Sequence, residues 1–266
     1  MDSDIAMPAG PDGAFLIAQI TDLHLAEHAA TPVAGVNADD NLASVLKAMR
    51  GRLPRDPDII LATGDIADKG AASAYERFKR YMHDTGIPAY GLPGNHDNPA
   101  TLHEVWPRRL PRWIDTPAWR IVMLDTTLPG EDAGMLGPTA LTELRHALAS
   151  TNTNILVVLH HHPVPVGSHW LDRHMLRDAE AFFDCLQESA GVRAVLCGHV
   201  HQELDGRYRA QHDGYNAAIR IMASPSTAFQ FAPHTKEYQL DTAPPGFRWL
   251  LLHPDGHLDT QVHYLQ

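Results

Sequence analysis

Cysteine and long apolar runs are scarce in this sequence. Cys185 and Cys197 are its only cysteines among 266 residues, and no CxxC spacing occurs, which argues against a disulfide framework or a cysteine zinc site. No stretch approaches the ~18 consecutive apolar residues of a membrane-spanning helix. The first residues show no basic segment followed by an apolar run. These features favour a soluble, cytoplasmic protein without a membrane partner.

Positive charge is also in short supply. Lysine and arginine number 21 against 32 aspartates and glutamates, so the formal net charge is −11, and neither sign forms long blocks. A nucleic-acid partner is therefore not expected, because phosphate contacts dominate that affinity. Bound cations could match part of the acidity, since carboxylates that hold a metal count as uncompensated charge in a sequence. The 18 histidines point in the same direction.

The pattern along the chain is that of an α/β domain. From Phe15 onward, short apolar runs alternate with helical periods, and 44% apolar residues in a chain of this length suffice for a full core. After about Gln202 the helical periods stop, and turns separate three further strand-like runs. We expect residues 1–14 to be a loose leader and residues 15–266 to form a single domain, with about 203–266 supplying much of a second sheet.

Side chains that can bind metal follow five of the predicted strands. They are Asp22 and His24; Asp65 and Asp68; Asn95, His96 and Asp97; His160 to His162; and His199 to His201. The carboxyl ends of parallel strands form the ligand crevice of open α/β sheets, so these residues are expected to converge. Any one of them could instead cap a turn or pack in the core, but five such clusters are hard to explain that way. Oxygen and imidazole ligands suit Fe, Mn, Zn or Co, and their number implies two divalent metal ions.

Five short motifs in these clusters resemble those of the calcineurin-like metallophosphoesterases. They are "DLH" from Asp22, "GD" from Gly64, "GNHD" from Gly94, "HHP" from His161 and "GHVH" from Gly198. Longer stretches, "HHHPVPVGSHWLD", "CGHVHQELD", "PSTAFQF" and "LDTAPPGFRWLLLHPDG", are similar to those of bacterial class III 3′,5′-cyclic AMP phosphodiesterases. The resemblance runs from about Phe15 to Tyr264 and implies a four-layer α/β/β/α sandwich of two mixed sheets flanked by helices. The segment Gly206–Ala218 looks longer than this subgroup usually carries.

Strand alternation and the family pattern together distinguish the three consecutive histidines. In the family the ligand histidine stands two residues before the proline of "HHP", which is His161 here. Since successive side chains of an extended strand point to opposite sides, His160 and His162 face away from the side that His161 faces. We therefore expect His161 to be the ligand, His160 to pack or hydrogen-bond beneath the site, and His162 to support the ligands.

The resemblance also implies the metal ligands. One ion would be held by Asp22, His24, Asp65 and His201, and the other by Asp65, Asn95, His161 and His199. Asp65 would bridge the two ions, since its two carboxylate oxygens can each serve one cation. The ions would share a hydroxide that attacks the phosphorus in line with the leaving oxygen.

Catalytic roles follow from the same resemblance. The phosphate side of the site would consist of His24, Asn95, His96 and His201. His96 would act as a proton donor at the leaving 3′-oxygen, and the carboxylate of Asp68 would fix its tautomer. Asp68 could instead cap the helix that follows it.

Cyclic AMP is the substrate that the subgroup resemblance implies. The indole of Trp170 is a candidate to stack on the purine, although plain packing explains it equally well, and Phe229–His234 is another candidate pocket wall. A broader phosphodiesterase acting on glycerophosphodiesters or other cyclic nucleotides is the main alternative, because one two-metal centre serves many esters. From a different class, a metal-free interaction scaffold would have lost ligand residues, and none is missing. A homodimer paired through the C-terminal strands is also open.

Overall fold

The computed structural model describes residues 5–151, 153–209 and 218–266. The helices are α1 Ala38–Arg52, α2 Ala72–Thr85, α3 Pro99–Val105, α4 Gly137–Ala149 and α5 Ala179–Gln187. The strands are β1 Ile5–Ala6, β2 Phe15–Ile20, β3 Ile59–Thr63, β4 Ala89–Leu92, β5 Trp113–Asp115, β6 Trp119–Leu124, β7 Asn154–Leu159, β8 Val192–Cys197, β9 Leu204–Tyr208, β10 Ile219–Ala223, β11 Gln230–Phe231, β12 Leu240–Asp241, β13 Gly246–Leu252 and β14 Leu258–Tyr264. Of the segment Gly206–Ala218, residues 210–217 lie outside the described residues.

Local sequence signals account for the ends of the first two helices. The side chain of Asn37 accepts hydrogen bonds from the backbone N–H groups of Asp39 and Asp40, as expected for a residue that caps the start of α1. Gly86 ends α2 in the left-handed conformation with φ of 71°, which glycine adopts without steric cost. Both helix ends carry residue types that commonly occupy these positions.

The strands form two mixed sheets. The larger has seven strands in the order β1-β5-β6-β7-β8-β10-β9, and the smaller has five in the order β14-β13-β2-β3-β4. Strands β2, β3 and β4 run parallel in the smaller sheet, and β6, β7, β8 and β10 run parallel in the larger one. The short pair β11 and β12 stands apart from both sheets.

Alternating side chains sort the core into layers. In β7, Ile155 and Val157 pack outward with residues of α4 and α5, whereas Leu156 and Val158 pack inward between the two sheets. Residues of α1, α2 and α3 pack on the outer face of β2 and β3. The order of layers is therefore helix, sheet, sheet, helix, which confirms the four-layer α/β/β/α sandwich.

Two expectations about the chain ends differ from the structure. The C-terminal part does not build one sheet: β9 and β10 join the seven-stranded sheet, while β13 and β14 join the five-stranded one. Each pair completes an edge that earlier strands leave open. The leader is not wholly loose either, because Ile5 and Ala6 pair with β5, and Ile5 packs against the core between the sheets. No helix in the described part of the chain is long and apolar enough to cross a membrane.

Candidate metal centre

The site lies where the carboxyl ends of β2, β3, β4, β7 and β8 meet. Backbone hydrogen bonds join the loops within each sheet: the N–H of Asp22 donates to the Gly64 carbonyl at 3.0 Å, and that of Gly198 donates to the His160 carbonyl at 3.1 Å. The N–H of His199 donates to both carboxylate oxygens of Asp22, at 3.1 and 3.0 Å, across the two sheets. The predicted convergence of these loops is therefore present.

Five of the seven predicted metal ligands have left-handed backbone. The φ angles are 53° at Asp22, 47° at His24, 49° at Asp65, 68° at His199 and 49° at His201. Positive φ is uncommon for residues other than glycine, and such strained residues cluster at functional sites. Their concentration here indicates that the backbone is bent in order to aim these side chains at one place.

Two glycines of the motifs are required by close approach. A Cβ on Gly64, whose φ is 98°, would collide with Nδ1 of His160 and lie 3.0 Å from the Cα of Gly94. A Cβ on Gly94 would collide with the carboxylate of Asp65 and lie 2.7 Å from Cε1 of His160. The glycines therefore let the loops after β3 and β4 pack around one carboxylate and one imidazole.

Three of the four residues predicted for the first metal lie close together. Nε2 of His201 lies 3.3 Å from Oδ1 of Asp22, and Nε2 of His24 lies 3.2 Å from Nε2 of His201. Nδ1 of His201 is 2.7 Å from the Phe229 carbonyl and donates to it, which leaves a lone pair on Nε2. One ligand atom each from Asp22, His24 and His201 fits within 4.8 Å of the others, close enough to hold a cation.

The second group contains His161 and His199. Nδ1 of His161 lies 2.7 Å from the hydroxyl of Thr126, while its Nε2 is buried without a hydrogen-bond partner among the described residues. Nε2 of His199 is likewise buried and unpartnered. Because buried polar atoms normally have partners, two orphaned imidazole nitrogens that lie in one cluster fit a metal ion between them.

Asp65 lies beside the first group and beside His160. Its Oδ2 lies 3.8 Å from Nε2 of His24 and 3.4 Å from Nε2 of His160. The amide oxygen of Asn95 lies 3.1 Å from the same nitrogen of His160. Asp65 and Asn95 are thus brought to the second group through His160.

The three consecutive histidines have different surroundings. His160 is fully buried and lies with Nδ1 2.8 Å from the Thr63 carbonyl, beneath the site. Geometry alone also places it among possible ligands, but unlike His161 and His199 it has hydrogen bonds at both ring nitrogens. The ring of His162 stacks on that of His199, with centroids 5.5 Å apart and planes 21° apart.

The charges of the site suit cation binding. Burial raises the pKa of Asp22, but the neighbouring His201 outweighs it and holds the pKa below its usual value. For Asp65, burial is likewise outweighed, chiefly by His160, and the pKa lies well below normal. Burial lowers the pKa of His161 and of His199 well below the usual range. The carboxylates are therefore ionised and these imidazoles neutral, the states in which both bind metals.

His96 and Asp68 meet in a way that differs from the expectation. Nδ1 of His96 donates to the backbone carbonyl of Asp68 at 2.9 Å, whereas the Asp68 carboxylate is 4.0 Å away. That carboxylate lies closer, at 3.7 Å, to Nδ1 of His24, which is buried and has no hydrogen-bond partner among the described residues. The group that fixes the tautomer of His96 is thus the carbonyl and not, as predicted, the carboxylate.

Sequence reasoning missed one supporting residue, Thr126, and did not indicate the role of another, Asp97. Thr126 follows β6 and places its hydroxyl on His161; its position after a parallel strand end could have indicated it. Asp97 was grouped with the ligand-type residues, yet its carboxylate accepts from the N–H groups of Gly94, Ile66 and Ala67. It therefore ties the loop after β4 to the loop after β3.

Trp170 lies in an aromatic cluster beside the centre. Its ring packs edge-on against Phe231 at 4.9 Å and Tyr238 at 5.3 Å, and its indole N–H donates to the hydroxyl of Thr235 at 3.1 Å. The ring of Phe231 in turn stacks on that of His201, with centroids 3.9 Å apart. Tyr238 was not singled out in the sequence, because a lone tyrosine in a polar segment gives no signal.

Comparison with known proteins adds to this geometry. A family model described as calcineurin-like phosphoesterase matches residues 15–203. The chain is 37% identical over 254 residues to the 3′,5′-cyclic adenosine monophosphate phosphodiesterase CpdA of Pseudomonas aeruginosa, covering 94% of this chain and 90% of that protein. It is 37% identical over 270 residues to CpdA of Escherichia coli strain K12, covering 100% of this chain and 95% of that protein.

A solved structure resembles the fold. The crystal structure of a dimetal phosphatase from Danio rerio superposes with a TM-score of 0.62 at 13% sequence identity, covering 95% of this chain and 99% of that one. At this identity the likeness concerns the fold alone.

Proposed function

The chain belongs to the calcineurin-like phosphoesterase family, and on that premise we propose that it hydrolyses 3′,5′-cyclic AMP to 5′-AMP. It is a metal-dependent hydrolase, since the family uses divalent metals and the centre gathers candidate ligands. The choice of cyclic AMP rests on the CpdA phosphodiesterases, whose similarity extends over nearly the whole chain.

One observation carries the two-metal arrangement: two separate clusters could each hold an ion, one containing Asp22, His24 and His201 and the other containing His161 and His199. Asp65 lies 3.8 Å from His24 of the first cluster and 3.4 Å from His160, which clusters with the second. The first proposed site consists of Asp22, His24, Asp65 and His201, and the second of Asp65, Asn95, His161 and His199. The unpartnered Nε2 atoms of His161 and His199 support the second site. Fe, Mn, Zn and Co all suit these ligands.

Divalent ions held by these residues would supply charge neutralisation at the phosphate and would lower the pKa of a bound water. The chain contributes the orientation of the ester through His24, Asn95, His96 and His201. His96 is 41% exposed and so can reach a bound ester. Burial lowers the pKa of His96, but Asp65 and the Asp68 carbonyl outweigh burial and raise it, which favours the doubly protonated ring. We assign His96 to protonate the leaving 3′-oxygen.

A substrate panel tests the proposal. Protein reconstituted with Mn²⁺ is assayed for kcat/KM on cyclic AMP, cyclic GMP, glycerophosphocholine and p-nitrophenyl phosphate, and its metal content is measured. Cyclic AMP should lead, 5′-AMP should be the product, and two ions should be found per chain. Faster turnover of glycerophosphocholine would favour the broader phosphodiesterase, and no turnover with no bound metal would favour the scaffold.

Two properties of the whole protein belong to the same proposal. We place the enzyme in the cytoplasm, where the thiols of Cys185 and Cys197 would stay reduced, as both are unpaired in the structure. We also propose a homodimer paired through β14, which stands at the edge of the five-stranded sheet. Sedimentation of the purified protein decides between monomer and dimer.

A further inference from the structure

Three large apolar side chains are exposed in the described residues, and each belongs to a segment that contacts a proposed metal ligand. They are Met135, Tyr238 and Leu240, with exposed fractions of 37%, 57% and 38%. Met135 follows Gly134, whose Cβ would collide with the ring of His161. Tyr238 contacts the ring of Phe231, and Leu240 pairs with Phe231 across the two strands β11 and β12. A group of apolar side chains exposed together can mark a ligand-binding surface.

Two of these side chains belong to one short segment, residues 229–241, which we call the flap. Within it β11 pairs antiparallel with β12, and the N–H of Ala232 donates to the carbonyl of Gln239 at 2.9 Å. Phe231 and Leu240 are directly paired, so their side chains lie on the same face, and the ring contact between Phe231 and Tyr238 at 5.5 Å puts Tyr238 on that face as well.

The flap is anchored to the metal centre and to the neighbouring loop. Phe231 stacks on His201 with an angle of 19° between the planes, and the Phe229 carbonyl accepts from Nδ1 of His201. The N–H of His169 donates to the Thr235 carbonyl at 2.9 Å. A ring on this face therefore keeps a fixed position relative to His201.

Tyr238 is the open end of this series of rings. Phe231 and Trp170 touch it edge-on, with interplanar angles of 68° and 72°. Phe231 is only 9% exposed and already stacks on His201, and Trp170 is held by its hydrogen bond to Thr235. Tyr238, at 57% exposed, is thus the most exposed ring that this cluster presents to a ligand.

We propose that Tyr238 is the platform on which the purine of the nucleotide stacks while His201 and the metal centre hold its phosphate. Trp170 supports Tyr238 from the side and is not itself the stacking surface. The inference rests on the proposed function, because it presumes a nucleotide substrate. Stacking uses the π face that every base has, so Tyr238 contributes affinity for a purine without separating adenine from guanine.

The test compares ligands with and without a base. Removing an aromatic platform typically weakens base binding by about 5- to 150-fold. Tyr238→Ala should raise KM for cyclic AMP by a factor in that range with little change in kcat. It should weaken competitive inhibition by 5′-AMP by a similar factor and leave inhibition by ribose 5-phosphate unchanged. Tyr238→Phe, which keeps the ring, should behave like the wild type.

Gln239→Ala is the matched control. Gln239 is exposed on the same flap, and its side chain points to the opposite face. Its removal should therefore change inhibition by neither 5′-AMP nor ribose 5-phosphate. Equal weakening of 5′-AMP and ribose 5-phosphate by Tyr238→Ala would reveal a structural effect on the flap and overturn the proposal, as would an unchanged KM. Wild-type protein that fails to hydrolyse cyclic AMP would instead overturn the proposed function.

Discussion

His160, His161 and His162 are consecutive in the chain but are used differently. His160 has hydrogen bonds at both ring nitrogens, with the Thr63 carbonyl and with Asn95, whereas His161 keeps one nitrogen buried and unpartnered. Burial lowers the pKa of His160, but the charge of Asp65 outweighs it and raises the pKa to about 9. A protonated ring donates at both nitrogens and cannot bind a cation, so its surroundings favour a structural role.

The two histidines should therefore respond differently to removal. His161→Ala should lower the affinity of one metal site, because it removes a ligand, and His160→Ala should chiefly lower the free energy of unfolding. Titration with Mn²⁺ and thermal melting of the metal-free variants separate the two effects. If His160→Ala empties the site while His161→Ala leaves it filled, the assignment is reversed.

Substitutions at His96 and at Asp68 should also have different effects on catalysis and on metal binding. His96→Ala should keep two metals and lose about 10²–10⁴-fold in kcat for cyclic AMP, with a smaller loss for an aryl phosphodiester whose leaving group needs no proton. Asp68→Asn keeps the backbone carbonyl that binds His96, so it should not change this leaving-group dependence. It should weaken metal binding instead, since its carboxylate lies 3.7 Å from Nδ1 of His24.

Equal losses of His96→Ala on both esters would leave phosphate binding as the role of His96. If the loss in kcat of Asp68→Asn depends on the leaving group, the carboxylate of Asp68 is the partner of His96 after all. The motifs allowed both residues to be predicted, but they could not indicate a bond to a carbonyl, because every residue has one.

At the scale of elements, the left-handed loops store strain. A residue other than glycine in this conformation costs about 1–2 kcal/mol. His199, with φ of 68°, is one such residue, and His161 is not. Replacement by glycine and replacement by alanine both remove the imidazole. The difference in stability between the two variants therefore reports the contribution of the backbone conformation.

In metal-free protein, His199→Gly should melt about 2–4 °C higher than His199→Ala for each kcal/mol of strain relieved. At His161 the glycine variant should melt at the same temperature as the alanine variant or below it, because glycine relieves no strain at an ordinary φ. Differential scanning calorimetry of the four variants measures this. Identical melting of the two His199 variants would show that the loop relaxes in solution.

Some elements could be predicted from the sequence and others could not. Strands such as β3 and β7 are apolar on both faces, and their runs of isoleucine, leucine and valine identify them. Strand β5 has three residues, and β9 alternates between partly buried and exposed side chains, so neither stands out. Which sheet a strand joins depends on which sheet edges are unpaired in the folded molecule. No local sequence pattern indicates this.

For the whole molecule, we propose that residues 15–266 are one domain. Arg248 in β13 is buried and donates to the carbonyls of Leu204 and Ala223, which belong to the other sheet. The two sheets also share the core between them. Unfolding should therefore be a single transition whose calorimetric and van't Hoff enthalpies agree. Two resolved transitions in the metal-free protein would show instead that the sheets unfold separately.

The position of β2 bears on how the protein is made. Ile17 pairs with Ile59 on one side and with Leu250 on the other, so the two neighbours of β2 come from opposite ends of the sequence. A ribosome adding about 5–20 residues per second needs on the order of ten seconds or more to supply the second neighbour. Until then the nascent chain has an open apolar strand edge at β2. An unpaired apolar strand edge is a template for pairing with other chains, so β2 is exposed to aggregation during this interval.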